Sequence, residues 1–118
     1  MSQSTDLTAP FAAGTPIQDD WEAAFAACRP EPDINNEPRK WGAWDFRCMR
    51  FDEFVMDKAY LDAADLLRPE GWDFGFVIQS CTGRFECRLE RSDEITEGIA
   101  PTEACARAIA AIRAREAG

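Results

Sequence analysis

The stretch WDFGFVIQSCTGRFECRLERS, residues 72–92, decides the fold. Two runs of β-branched and aromatic residues flank Ser80-Cys81-Thr82-Gly83, the pattern of an antiparallel hairpin. Phe74, Phe76 and Ile78 share one side of the first strand. Phe85, Cys87 and Leu89 share one side of the second, while Arg84, Glu86, Arg88 and Glu90 alternate outward. If both apolar sets face one core, even-numbered residues must lie opposite odd-numbered ones. That parity requires an even-length turn, at Thr82-Gly83 or Gly83-Arg84. Cys81 and Cys87 then point to opposite faces, which argues against a disulfide between them.

Outward from the hairpin, EITEGIA (94–100) reads as a third short strand, and Pro101 opens a last helix. Its apolar stripe is Cys105, Ala108, Ile109 and Ile112, with Arg107, Arg113 and Arg115 turned to water. On the other side, Val55, Ala59, Ala63, Leu66 and Leu67 lie in helical register over 52–68, with Asp52 or Asp57 as N-cap and Asp62 and Asp65 facing outward. Lys58–Asp62 and Asp65–Arg68 have the spacing of exposed helical ion pairs. Pro69 stops this helix, and Gly71 supplies the positive φ for the corner into the hairpin.

AWDFRCMRF (43–51) alternates Trp44, Phe46 and Cys48 with Asp45, Arg47 and Met49, which predicts a first strand. The preceding residues 30–42 contain three prolines and two asparagines and read as a loop. Thr15 as N-cap, Pro16 at the first helical position and Gln18 at the capping-box position open a helix. Its stripe is Ile17, Trp21, Ala24, Phe25 and Cys28, and Pro30 stops it. Residues 1–14 read as a flexible N-terminal arm, and 15–118 as a single domain. The expected class is α+β: a small antiparallel sheet of about three to four strands around a central hairpin, flanked by helices.

Composition sets outer limits. The 118 residues are 46% hydrophobic and 30% charged, with thirteen aromatics, which suits one folded domain. A net charge of −9 gives phosphate-driven binding the wrong electrostatic sign, so no direct nucleic-acid binding is expected. No apolar run reaches the length of a membrane span, and the first residues lack a signal peptide's pattern, so a cytoplasmic protein without membrane contact is expected. Five cysteines (Cys28, Cys48, Cys81, Cys87, Cys105), an odd number without a Cys-x-x-Cys pair, are expected to be free thiols. With no histidine, the commonest general base and any mixed Cys/His zinc site are ruled out. Neither a phosphate-binding glycine loop nor a nucleophile elbow is present. No catalytic residue, metal or cofactor is expected.

LDAADLLRPEGW (61–72), followed by FGFVIQSCTGRFECRL (74–89) and APTEACARAIAAI (100–112), resembles small phage and prophage proteins of the phage ABA-sandwich type. The likeness covers residues 59–115. It implies helices flanking an antiparallel sheet and a phage or prophage accessory role, and it carries over no catalytic residue. The expected function is therefore non-enzymatic: protein–protein interaction with a host or phage protein that has a basic surface. Its sharper form is anti-CRISPR-like inhibition of a host nucleic-acid-binding complex, with carboxylates placed where phosphates would lie. The alternatives are a nucleic-acid module resembling double-stranded RNA-binding domains, and a small enzyme. The candidate partner-binding residues are Asp62, Asp65, Glu94 and Glu97 for charge, with Trp41 and Trp44 as aromatic anchors.

Overall fold

The hairpin forms as strands β1 (Asp73–Gln79) and β2 (Phe85–Arg91), and β3 (Glu94–Ala100) adds beyond β2, giving an antiparallel sheet of order β1-β2-β3. The computed structural model describes residues 6–117. Among the described residues there are five helices, α1 (Ala9–Ala13), α2 (Gln18–Cys28), α3 (Pro38–Met56), α4 (Tyr60–Leu67) and α5 (Glu103–Glu116), and the fold is α+β, as the sequence predicts.

The parity of the hairpin departs from the expected one. Phe74 lies opposite Leu89 as the shared core requires, but the register shifts at Gly75, and Phe76 then lies opposite Arg88, Val77 opposite Cys87 and Ile78 opposite Glu86. A bulge inverts the side-chain phase of everything beyond it. Val77 takes the core position, and Phe76 and Ile78 move to the far face of the sheet. The turn adjusts to match. The Ser80 N–H donates to Arg84 O at 2.7 Å, leaving a three-residue loop, Cys81–Gly83, with Gly83 at φ 87°. This odd-length loop closed by a left-handed glycine replaces the expected two-residue turn.

Helix α5 covers the inner face of β2 and β3. Thr102 accepts from the Cys105 N–H at 3.2 Å and caps it, one residue after Pro101. The predicted stripe of Cys105, Ala108, Ile109 and Ile112 is buried, and alanines between those residues let the helix approach closely. Closest approach is at Gly98 on β3, where a Cβ would meet the Ala106 carbonyl and come within 2.7 Å of the Ala110 nitrogen. Helices α1, α2 and α4 pack against α5, and Trp21, Phe51, Leu67, Trp72 and Leu89 fill the core between the layers.

The N-terminal half departs from the expected one at several elements. The expected strand at 43–51 lies inside α3, because Pro38 occupies the first helical turn, where its missing N–H costs nothing, rather than a loop. The deciding period is Trp41, Trp44, Cys48, Phe51 and Val55, at intervals of three and four. The loop is therefore shorter than 30–42. Within it Asp33 accepts from the Asn35 N–H at 2.9 Å and from Asn36 Nδ2 at 2.6 Å. The expected helix at 52–68 is two helices broken at Asp57–Ala59, where Lys58 takes φ 61°. Asp57 ends α3 rather than starting a helix, Asp52 is internal to α3, and Lys58 is outside the helix that carries Asp62. At α2 the N-cap is Ile17 rather than Thr15. The chain stays extended after Pro16, and the Asp20 carboxylate accepts from the Ile17 N–H at 2.8 Å, so Ile17 is exposed instead of joining the stripe. Of the expected arm, residues 1–5 lie outside the described residues, while α1 buries Phe11 edge-on against Trp21 at 4.9 Å between centroids.

Candidate functional site

The corner Arg68-Pro69-Glu70-Gly71-Trp72 joins three helices, and hydrogen bonds do the joining. Gly71 takes φ 88°, and Arg68 Nη1 donates to Trp72 O at 2.6 Å across the turn. Arg29, at the end of α2, donates through Nε to Leu66 O at 3.1 Å and through Nη2 to Arg68 O at 2.6 Å, satisfying carbonyls left open at the end of α4. The Arg29 carbonyl in turn accepts from Trp44 Nε1 at 2.7 Å, which fixes α3 to the same point. Burial, and then the neighbouring Arg47, lower the Arg29 pKa. Glu70 stands exposed 3.9 Å from both the Arg29 and Arg47 guanidinium groups. The cleft beside this corner, about 600 Å³, includes Arg29, Lys40, Trp44, Arg47 and Glu70.

On the other flank of α3, a groove of about 510 Å³ separates it from α4. Ala43, Phe46, Arg47, Arg50 and Phe54 form one wall, and Asp62, Asp65 and Leu66 the other. Arg50 stacks on Phe54, 4.8 Å from the ring centre, and pairs with Glu53 at 3.6 Å. Phe46 rises at the rim, 62% exposed, with Met49 and Met56 on the same outer side of α3 also exposed. These three residues lie on the side of α3 opposite its core stripe.

The six predicted contact residues therefore fall in three places. Trp41 and Trp44 meet on α3, 6.1 Å between ring centres and both half-buried, with Trp41 Nε1 3.4 Å from a Glu31 carboxylate oxygen. Asp62 and Asp65 share the α3–α4 groove and are both exposed, with Arg68 3.9 Å from Asp65. Glu94 and Glu97 lie apart from both, on β3. Glu94 accepts from Arg91 Nη2 at 2.6 Å at the β2–β3 turn, and Glu97 lies opposite Arg88. A strand over 43–51 gives Phe46 to the core and Met49 to the surface, whereas the helix leaves Phe46, Met49 and Arg50 all exposed. Spacing of three between Phe46 and Met49 is the signal that would have found them.

The five cysteines are free. Burial raises the thiol pKa of Cys28 to about 12 and of Cys87 to about 11, and it also raises Cys48 and Cys105, so these four are protonated thiols at neutral pH. Cys81 is exposed in the hairpin loop. Among the described residues no three Cys, Asp or Glu side chains are placed to share a metal ion, and no helix is long and apolar enough to cross a membrane. No protein-family model, no curated protein and no solved structure matches the chain, so the reading of the site rests on its own geometry.

Proposed function

We propose that this protein acts by binding another protein, without catalysing a reaction, and that the contact surface is the outer side of α3 with the carboxylates of α4. The observation that carries this reading is the exposure of Phe46 at the rim of a groove whose far wall presents Asp62 and Asp65. An aromatic anchor beside unburied carboxylates suits a partner with apolar and basic groups side by side. The net charge of −9 supports a basic partner over nucleic acid, since the long-range field attracts the first and repels the second. The four raised thiol pKa values support a non-catalytic role, because the thiolate is the nucleophile and burial disfavours it. The phage-accessory setting rests on the family resemblance, and within it the sharper form is an inhibitor whose acidic face occupies a host protein's nucleic-acid-binding surface.

The test compares the wild-type chain with Asp62→Lys/Asp65→Lys and Phe46→Asp/Met49→Asp as bait in a bacterial lysate at low salt. A specific partner should be retained by the wild type, lost from both variants, and released by about 0.5 M salt. Equal retention by all three baits would place the interface elsewhere. Tight binding of duplex DNA or RNA by the wild type at physiological salt would overturn the protein-partner reading.

A further inference from the structure

The far face of the sheet is a separate surface. The helices that contact the sheet do so on the side of Phe74, Val77, Phe85, Cys87 and Leu89. On the other side the bulge at Gly75 has placed Phe76 and Ile78, and β3 adds Ile95 and Ile99. These three isoleucines are each about half exposed. The register arranges them in rows across the strands: Ile78, Glu86 and Ile99 in one, Phe76, Arg88 and Glu97 in the next. Arg88 stacks on Phe76, 4.6 Å from the ring centre. Its Nε is shielded from solvent and has no hydrogen-bond partner.

We infer that this face pairs with a second copy of the chain. The order of charge along the central strand and the residue before it, Arg84, Glu86, Arg88, Glu90, is self-complementary. A two-fold axis lying between two such faces, perpendicular to the strands and passing over Cys87, sets residue 86 opposite 88 and residue 84 opposite 90. Each of these four residues then meets the opposite sign: Glu86 faces Arg88 of the second copy, and Arg84 faces Glu90. The same operation sets Phe76 over Ile78 of the second copy, an apolar flank on the β1 side, and Glu97 over Ile99 of the second copy on the β3 side. An isologous interface needs this self-complementarity, in which i meets j and j meets i. A uniformly basic partner would meet Arg84 and Arg88, and an axis parallel to the strands would set like charges together, so the pattern selects a second copy in one orientation. This surface is independent of the α3–α4 groove.

Three strands of seven residues span only about 14 by 23 Å. That is well short of the ~800 Å² per partner of a standard interface. The dimer is accordingly weak. Sedimentation equilibrium of the wild-type chain from about 10 µM to about 1 mM should show reversible dimerisation. Glu86→Arg and Arg88→Glu should each weaken it at least tenfold. An equimolar mixture of the two should form a heterodimer, because the introduced arginine then faces the introduced glutamate and the remaining Glu86 faces the remaining Arg88. The double variant Glu86→Arg/Arg88→Glu should dimerise as the wild type does. Circular dichroism melting identifies any variant that has lost its fold; if Arg88→Glu is one, Glu86→Arg together with Ile78→Lys carries the test. A wild type that is monomeric at about 1 mM, or a folded Glu86→Arg that associates like the wild type, would overturn the inference.

Discussion

Helices α5 and α3 are opposite solutions to the same problem of docking a helix on this core. α5 has 14 residues and buries nine of them, almost all alanine or isoleucine, against the sheet and the other helices. α3 is longer, 19 residues, yet buries only Phe51 and Val55 completely and carries Phe46, Met49 and Met56 on its solvent side. Small side chains in α5 let backbone approach backbone at Gly98, which makes the contact close and intolerant. Large side chains in α3 hold it at a distance and leave clefts on both flanks. The lesson is a division of labour: α5 with the sheet holds the fold, and α3 presents surface.

Substitutions separate the two roles, and the largest effect belongs to the core beneath α5. Trp72→Ala removes a fully buried indole where the corner meets the sheet, and should cost about 3–5 kcal/mol in denaturant unfolding. A loss below about 1 kcal/mol would mean that the corner is not part of the cooperative core. Gly98→Ala inserts a methyl group against the backbone of α5, and the helix must shift to admit it. The expected loss is about 3 kcal/mol, whereas an equivalent methyl at Gly42 on α3, which meets nothing within 4 Å, should stabilise by a few tenths up to ~1 kcal/mol through helix propensity. Equal responses at the two glycines would erase the contrast between the helices.

The thiols give a smaller, pH-dependent effect. Burial raises Cys28 to about 12 and Cys87 to about 11, so the folded state holds protons that the unfolded chain releases near pH 9. Their contribution is fully present below pH 9 and declines as pH rises through the folded values. From pH 8 to pH 10 each thiol should cost about 1 kcal/mol of stability. Cys28→Ala should reduce that alkaline decline by about the 1 kcal/mol assigned to Cys28, and an unchanged pH slope would show that Cys28 ionises as freely in the folded protein as in the unfolded one. Smallest of all for stability is Phe46→Ala on α3, expected within about 0.5 kcal/mol of the wild type, while partner binding falls at least tenfold. A melting temperature lowered as much as by Trp72→Ala would return Phe46 to the core.

Local pattern made the C-terminal half legible. The alternation of β2, the short third strand, the stripe on α5 and the Pro69–Gly71 stop each express a preference that nearby residues settle, and no distant contact overrides it. Asp62 and Asp65 could be placed on an exposed helix face for the same reason. The α3 segment failed this test because its residues satisfy two periods at once. Trp44, Phe46 and Cys48 alternate like a strand, while Trp44, Cys48, Phe51 and Val55 repeat like a helix, and the longer repeat, opened by Pro38 and packed against α2 and α4, prevails. The grouping of Phe46 with Asp62 and Asp65 could not be read beforehand, since it depends on that choice.

By itself the sequence determined the class of fold, the acidic balance, the hairpin and the alanine-faced helix, because composition and short-range periodicity fix them. Only the tertiary structure decided which face each β1 residue takes. Alternation fixes faces relative to one another, but one inserted residue at Gly75 reverses them, and with the bulge Phe74 and Val77 both pack against the core. That single reversal carried Phe76 and Ile78 out of the core and onto the open face of the sheet.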